Sequence, residues 1–418
     1  MTTADYTAAN ADELRRRMLD DLWTLTALRT QTVAEAFAAV PRHLFAPEAT
    51  PEQAYAVDTA VITKRGPDGA ALSSVSAPSI QAAILEQADL GPGMQVLEIG
   101  SGGYNAALLS HLVGPTGHGV SVDGDGDIVE RARRLLAEAG YPRGRVVHGD
   151  AEHRIPGEAP FDRIIVTVGD WDLPPAWWDQ LVESGRIVVP LLMRGTTRTV
   201  ALEKTGGRLV DRDHQWAGFV AMQGLGARGE TFLPITEDEQ VVLRIDSPAD
   251  TDPQALAQAL RGPRTEAWSG VEVGGTEPFD DLDLFLATQP GRSGLLQALP
   301  AAVEAKLVSA WARWSAPTYY NDTGFAYRTT RRVPDTGRAE VGAFAHGPDA
   351  QASAGQAVAD IRTWDRRHRR SRQRAHITVV PAATPAQALP TGFVMNRRHT
   401  RVIVTWPTGD GHTAAPCG

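Results

Sequence analysis

The sequence has only one cysteine, Cys417, which excludes an internal disulfide framework and a metal site built from cysteines. It also has no run of about 18 apolar residues, so no transmembrane helix is expected. The first residues, Met-Thr-Thr-Ala-Asp-Tyr, lack the basic and then apolar segments of a signal peptide. These absences predict a cytoplasmic protein without a membrane partner.

Positive charge is scarce as well. The 41 Lys and Arg residues are outnumbered by 50 Asp and Glu, and the net charge of −9 argues against a general nucleic-acid binder. The eleven histidines show no metal-ligand spacing, and we predict no metal site. One basic run, Arg366 to Arg374, can attract an acidic peptide, although a solvated loop is the other interpretation.

The most informative segment is Met94 to Leu109. A short apolar strand leads through Glu98 into Gly100, Gly102 and Gly103, and a helix rich in small residues follows. Glycine allows a backbone to turn sharply and approach a ligand closely. A strand, a glycine loop and a helix at the start of an alternating β/α region indicate a nucleotide-cofactor site.

Acidic residues follow the next two predicted strands. Asp123 follows Gly117–Val122 and can accept hydrogen bonds from ribose hydroxyls, and Asp150 lies just after Arg145–His148. An NAD-binding sheet is the alternative, but it would normally have Gly-x-Gly-x-x-Gly and would lack Gly-Asp at the third strand. A module that binds cofactor only structurally is a further alternative, against which the complete acidic set argues.

This layout resembles that of class I S-adenosylmethionine methyltransferases, and ordered motifs narrow the resemblance to protein-L-isoaspartate O-methyltransferases. The family implies an α/β fold with a Rossmann-like doubly wound sheet and N-terminal helices. Two departures stand out: the glycine loop is one residue shorter than usual, and Ser79 replaces the His or Tyr of many relatives. The motifs are Val40–Phe45, Ala54-Tyr55, Ser74–Pro78, Val96–Gly100, Gly149-Asp150 and Phe161–Thr167.

The resemblance also implies the site residues. Ser76 has the catalytic role, because its hydroxyl would donate to one oxygen of the reacting carboxylate; helix capping is the other interpretation of these serines. Glu98 would meet the methionine end of the cofactor directly or through water, Asp123 the ribose and Asp150 the adenine amine. The predicted contacts to S-adenosylmethionine are Ser74, Val75, Ser76, Gln81, Glu98, Gly100, Ser101, Gly102, Asp123, Gly124, Asp150 and Ala151.

The predicted reaction is methyl transfer to an aspartyl-derived carboxylate in a peptide or protein. No general base is required, since a carboxylate is already deprotonated near neutral pH. The long C-terminal part and the Gly-Ser-Gly-Gly loop are similar to those of methyltransferases that act on lanthipeptide and graspetide precursors. We therefore favour an aspartate in an acidic, ribosomally made precursor peptide, with succinimide formation after esterification. The alternative is repair of isoaspartyl sites in aged proteins.

At 418 residues the chain should form two or three domains. We predict an N-terminal helical lid with the substrate turn (1–75), a cofactor-binding catalytic domain (76–225) and a C-terminal α+β domain (226–418) that can recognise peptide. Gly226–Glu230 is the predicted linker. Trp171, Trp177 and Trp178 either line a peptide groove or pack on the sheet. The sequence leaves the oligomeric state open.

Overall fold

The computed structural model describes residues 8–67, 69–218, 231–246, 251–274, 277, 280–309, 311, 315–370 and 373–407. Helices begin the described chain, as their apolar spacing predicted. Met18, Leu22 and Phe37 from these helices share a buried core with the first sheet. The elements are α1 (Ala8–Thr24), α2 (Gln31–Ala39), a 3-10 turn (Arg42–Phe45) and α3 (Pro51–Ala54).

A β-hairpin follows these helices and was not predicted. Its strands are β1 (Val61–Arg65) and β2 (Ala71–Val75), and they pair antiparallel. Gly69 in the connection has φ +82°, which glycine adopts without strain. The hairpin leads directly into the Ser-x-Pro turn, so its position fixes where that turn lies.

The middle of the chain alternates strands and helices, as predicted. Its strands are β3 (Gln95–Ile99), β4 (His118–Asp123), β5 (Arg145–His148), β6 (Phe161–Val166), β7 (Leu181–Met193), β8 (Thr196–Thr205) and β9 (Arg208–Trp216), and its helices are α4 (Pro78–Ala88), α5 (Tyr104–Val113), α6 (Gly126–Glu138) and α7 (Pro175–Gln180). Strands β3 to β7 pair in parallel, whereas β7, β8 and β9 form an antiparallel meander.

In the described residues of the C-terminal part, seven strands form a second, antiparallel sheet with helices against it. Its strands are β10 (Thr231–Pro234), β11 (Val241–Ile245), β12 (Thr265–Gly274), β13 (Arg292–Ala298), β14 (Ala316–Tyr320), β15 (Phe325–Val333) and β16 (Arg338–His346), and its helices are α8 (Pro253–Arg261), α9 (Asp280–Ala287), α10 (Pro300–Glu304) and α11 (Ala350–Trp364). The strand order is β10-β11-β13-β14-β15-β16-β12. This confirms the predicted α/β architecture with an additional α+β part.

The last three strands return to the first sheet. They are β17 (His376–Pro381), β18 (Phe393–Asn396) and β19 (Thr400–Thr405). Strand β17 pairs antiparallel with β9, through Thr378 opposite Val210 and Val379 opposite Leu209. Among the described residues the first sheet therefore has ten strands, in the order β18-β19-β17-β9-β8-β7-β6-β3-β4-β5. The predicted domain division at 225/226 stays a prediction, and the predicted linker lies outside the described residues. The hydrogen bonds between β17 and β9 connect the parts of the chain before and after that division.

Two buried cores flank the ten-stranded sheet. Val379 and Val402 from the end of the chain are buried in the same cluster as Leu97 and Ile99 of β3. The opposite face holds α4, α5, α6 and the N-terminal helices. Within the described residues, no helix combines the length and the apolar character needed to cross a membrane.

Candidate active site

An open cleft of about 680 Å³ lies at the carboxyl ends of the parallel strands β3, β4, β5 and β6. This is the edge at which doubly wound sheets bind their ligands. Eight of the predicted cofactor contacts line it: Ser74, Gly100, Ser101, Gly102, Asp123, Gly124, Asp150 and Ala151. Sequence reasoning missed the others: Leu72, Ser73, Ile99, Val122, Asp125, Ile128, Thr167 and Val168.

The glycine loop follows β3 and closes one side of the cleft. Gly100 has φ +88°, and a Cβ added there would lie 2.7 Å from Thr167 Oγ1. Gly103 has φ +85° and a Cβ there would approach Phe45 and Ala132 at 3.3–3.4 Å. Gly100 therefore forms a cradle beside Thr167, which also lines the cleft, because both its φ and the available space exclude a side chain. Gly103 does not line the cleft, and its φ favours glycine where the loop packs against the core.

Asp123, at the end of β4, connects the two loops that border the cleft. Its Oδ2 accepts a hydrogen bond of 2.9 Å from the Ser101 amide, and its Oδ1 accepts one of 2.9 Å from the Asp125 amide. Burial raises the pKa of this carboxyl, while the two amides act in the opposite direction. Each oxygen keeps a second acceptor site, so the carboxylate can hold the glycine loop and also bind ligand hydroxyls.

Glu98 lies below the cleft rather than on its wall. It is completely buried, and the Ser121 hydroxyl donates a hydrogen bond to its Oε2. Burial raises the pKa of Glu98 to about 7, and Ser121 and the neighbouring Asn105 oppose that shift. Its predicted contact with the methionine end of a cofactor stays a prediction.

Asp150 and Ala151 form the wall of the cleft at the end of β5. The Asp150 carboxylate accepts a hydrogen bond of 2.9 Å from the Glu152 amide and so fixes the local turn. The indole N–H of Trp177 donates to the Ala151 carbonyl at 2.9 Å, and its ring is buried in the core. Of the two interpretations of Trp177, packing on the sheet is the one observed.

The predicted substrate turn lies beside the cleft. Ser74 lines the cleft, whereas Val75, Ser76 and Gln81 are not among its lining residues, and their contacts to a cofactor stay predictions. Arg42 binds this turn: its Nη2 donates to the Ser76 carbonyl at 2.7 Å, and its Nη1 donates to Gln81 Oε1 at 2.6 Å. Arg42 belongs to the motif Val40–Phe45, and this motif was the only indication from the sequence that Arg42 could be functional. Its hydrogen-bond partners could not be inferred from sequence spacing.

The β1–β2 hairpin is held to the opposite side of the cleft by ion pairs. Lys64 Nζ lies 2.6 Å from Asp125 Oδ2 and 2.8 Å from Asp127 Oδ2. These carboxylates raise the pKa of Lys64, with Asp125 contributing most. Because Ser74 of the hairpin and Asp125 both line the cleft, this contact connects its two walls.

The C-terminal part supplies a rim next to the cleft. His399 Nε2 lies 2.9 Å from Glu152 Oε1, and the His399 amide donates to Asp172 Oδ2 at 2.6 Å. The Thr400 hydroxyl donates to Asp172 Oδ1 at 2.6 Å. Glu152 and Asp172 belong to the loops after β5 and β6, whose preceding residues line the cleft. The β18–β19 turn therefore rests on the loops that shape the site.

The basic run is largely engaged in ion pairs within the C-terminal part. Arg369 pairs with Glu277 at 2.7 Å and with Asp365 at 2.8 Å. Arg370 also pairs with Asp365, and Arg374 pairs with Asp281 at 3.1 Å. These arginines position local structure, so the basic run is not simply a solvated loop.

Comparison with known proteins identifies the first half of the chain. A sequence profile described as protein-L-isoaspartate(D-aspartate) O-methyltransferase matches residues 13–227. The protein-L-isoaspartate O-methyltransferase of Methanopyrus kandleri is 38% identical over 213 residues, which are 50% of this chain and 91% of the relative. The enzyme of the same name from Methanothermobacter thermautotrophicus is 39% identical over 178 residues, which are 42% of this chain and 79% of the relative.

A solved structure of a protein-L-isoaspartate O-methyltransferase aligns with 87% of this chain and 96% of its own, at 21% identity and a TM-score of 0.47. The profile covers just over half of the chain and ends at residue 227, so residues 228–418 lie outside it. On the profile and the sequence relatives, this chain belongs to the protein-L-isoaspartate O-methyltransferase family.

Proposed function

We propose that this chain transfers the methyl group of S-adenosylmethionine to an aspartyl carboxylate in a ribosomally made precursor peptide. Family membership already identifies the coarser activity, an S-adenosylmethionine-dependent carboxyl methyltransferase that acts on protein or peptide substrates. The finer proposal concerns which carboxylate is methylated. The observation that carries it is the rim that the β18–β19 turn builds beside the cleft.

The residues of the cleft fit the cofactor. The Gly100 cradle admits a ligand close to the backbone. The carboxylates of Asp123 and Asp150 also line the cleft, where they would accept hydrogen bonds from the ribose hydroxyls and the adenine amine of the cofactor. Ser101 and Gly102 complete the loop beside them. Bound S-adenosylmethionine would supply a methyl group on a positively charged sulfur.

The residues of the chain would orient the substrate carboxylate towards the methyl group. A substrate carboxylate is deprotonated near neutral pH and needs no base. The Ser76 hydroxyl would donate to one carboxylate oxygen and leave the other free to attack in line, at near-attack distance. After methyl transfer, the ester is a better acyl donor than the carboxylate. The next backbone nitrogen can then displace methanol and close a succinimide.

The rim supports recognition of a peptide beyond its reacting residue. It is provided by residues that the family profile does not include, and it carries an exposed guanidinium, Arg398, 3.6 Å from Glu152. Arg397, whose side chain is only 3% exposed, lies over the Trp171 ring at 4.2 Å and anchors the turn that presents Arg398. An exposed cation at this place favours an acidic peptide partner. A catalytic domain alone would not need this addition.

The alternative substrate is an isoaspartyl residue in a damaged protein, and the family name and the sequence relatives favour it. The two carboxylates can be compared directly in matched peptides. We would prepare one acidic peptide, linear and cyclised, with Asp or isoaspartate at a single position, and measure methyl ester by mass spectrometry. Methylation of the Asp peptide supports the proposal, whereas methylation of only the isoaspartyl peptides returns the function to repair.

Rim variants provide the second part of this experiment. Arg398→Ala should raise KM for an acidic precursor peptide several-fold and leave cofactor affinity unchanged, since Arg398 does not line the cleft. Arg212→Ala is the matched control, because that exposed arginine pairs with Glu203 at the amino ends of the strands. Equal KM values for the parent, Arg398→Ala and Arg212→Ala chains would show that the rim does not contribute to substrate recognition.

A further inference from the structure

Arg42 is a buried cation that has only neutral hydrogen-bond acceptors among the described residues. Its side chain is 0% exposed, and its Nε donates to the Ala54 carbonyl at 2.5 Å. Its two Nη atoms donate to Gln81, to the Ser76 carbonyl and, at 3.3 Å, to the Val75 carbonyl. All four acceptors are neutral, and Arg42 has no ion pair with any described carboxylate. Buried charges in proteins are normally paired, so this cation lacks the expected anion.

The guanidinium stays protonated despite its surroundings. Burial lowers the pKa of Arg42 to about 10, and Tyr104 and Tyr55 partly oppose the shift. Its carbon Cζ lies 5.0 Å from the centre of the Tyr104 ring, the first residue of α5 after the glycine loop. Arg42 therefore connects the N-terminal 3-10 turn, the substrate turn and the helix that starts at the glycine loop.

The carbonyls that Arg42 binds determine where the next amides point. A trans peptide directs its N–H opposite to its C=O, so binding the Val75 and Ser76 carbonyls turns the amides of Ser76 and Ala77 away from the guanidinium. Neither amide donates to an acceptor within the described residues. Ala77 is also the N-cap of α4, without a side-chain cap. Donors at this helix end, polarised by a bound cation, suit an anion.

We propose that Arg42 is the positioning residue of the reaction: it fixes the Val75–Ala77 turn so that Ser76 meets the substrate carboxylate, and that carboxylate supplies the anion that the buried guanidinium lacks. The proposal rests on the proposed carboxyl methylation and extends it to a residue that does not touch the reacting atoms. It makes two separate predictions, one about geometry and one about charge.

If Arg42 positions Ser76, the effects of Arg42→Lys and Ser76→Ala on kcat should not be independent. Arg42→Lys keeps the cation but cannot bind three carbonyls and Gln81 at once. In the parent chain, Ser76→Ala should lower kcat about 10- to 150-fold, the range for one hydrogen bond to a charged group. In the Arg42→Lys background, the same change should lower kcat less than about threefold, because the hydroxyl is already misplaced. Losses that multiply would overturn this part.

The charge prediction uses Gln81→Glu, which has almost the same shape and places a carboxylate beside Arg42 Nη1. It should not lower the melting temperature, since it pairs a buried cation, and yet it should raise KM for the peptide about tenfold or more. A purely structural role for Arg42 predicts a stable and fully active variant. An unchanged KM would overturn the charge argument.

Arg163→Lys is the matched control, because Arg163 donates to the Ala88 and Asp89 carbonyls at the other end of the same helix, α4. It should leave peptide KM and the effect of Ser76→Ala unchanged. Circular dichroism and the melting temperature show that each variant is folded, and cofactor affinity is measured separately because Ser76 and Gln81 are predicted cofactor contacts. Failure of the parent chain to methylate any Asp or isoaspartyl peptide would overturn the proposed function together with this proposal. An active parent with multiplicative losses and an unchanged Gln81→Glu KM would overturn the role of Arg42 alone.

Discussion

Asp123→Asn tests the cofactor site most sharply, because it changes charge and keeps shape. The Asp123 carboxylate accepts two backbone amides at 2.9 Å and lines the cleft. Asparagine can accept with one oxygen only and presents an N–H₂ group where the second acceptor was. A hydrogen bond to a charged group contributes about 1.5–3 kcal/mol, so S-adenosylmethionine affinity should fall about 10- to 150-fold.

The assay is titration calorimetry of cofactor into parent and variant chains at one pH. Because burial raises the pKa of Asp123, parent affinity should also fall as the pH decreases, and the variant should lose that dependence. Asp89→Asn is the control: its carboxylate is 73% exposed, follows helix α4 and does not line the cleft. Equal dissociation constants for parent and Asp123→Asn would refute the assignment of Asp123.

Three further predictions concern the walls of the cleft and its surroundings. Lys64→Met breaks the ion pairs to Asp125 and Asp127, so cofactor dissociation followed by stopped flow should be about two- to fivefold faster, and the parent rate should rise with salt. Gly100→Ala should weaken cofactor binding at least about tenfold in calorimetry, because it combines a φ of +88° with a close contact, whereas Gly140→Ala, at φ +81° in open space, should not. Burial raises the pKa of Asp170 to about 7, so the stability that protonated Asp170 contributes is present below the unfolded-state pKa and is lost as the pH rises towards 7. Asp170→Asn cannot ionise, and in chemical denaturation its free energy of unfolding should rise by about 1 kcal/mol or more relative to the parent between pH 5 and 8.

Local signals made the cofactor cleft predictable. The glycine loop and Asp123 directly follow two short strands that are rich in apolar residues, so their position at one edge of a sheet follows from chain order. Glu98 shows the limit of this reasoning. Its strand was identified correctly, but the residue lies below the cleft, and spacing alone does not show how deep a side chain sits.

Long-range contacts were not predictable in the same way. Arg42 binds residues 12 to 39 positions away, and nothing in its neighbourhood indicates which carbonyls it meets. The sequence predicted strands β17 to β19 as part of a separate domain. The alternation of apolar and polar residues predicts a strand but does not show which other strand it pairs with. Their pairing with β9 and their burial beside Leu97 follow from tertiary packing. A chain ending at residue 218 would lose this part of the core and should be destabilised.

Methyl transfer to a carboxylate oxygen can be tested directly from the products of one reaction. The parent chain would be incubated with S-adenosylmethionine and the matched Asp and isoaspartyl peptides, and the products would be followed by mass spectrometry before and after mild base. We expect a peptide that gains one methyl group and then loses methanol in base to give a succinimide. A methylated product that survives mild base, as a methyl group on nitrogen would, excludes carboxyl methylation.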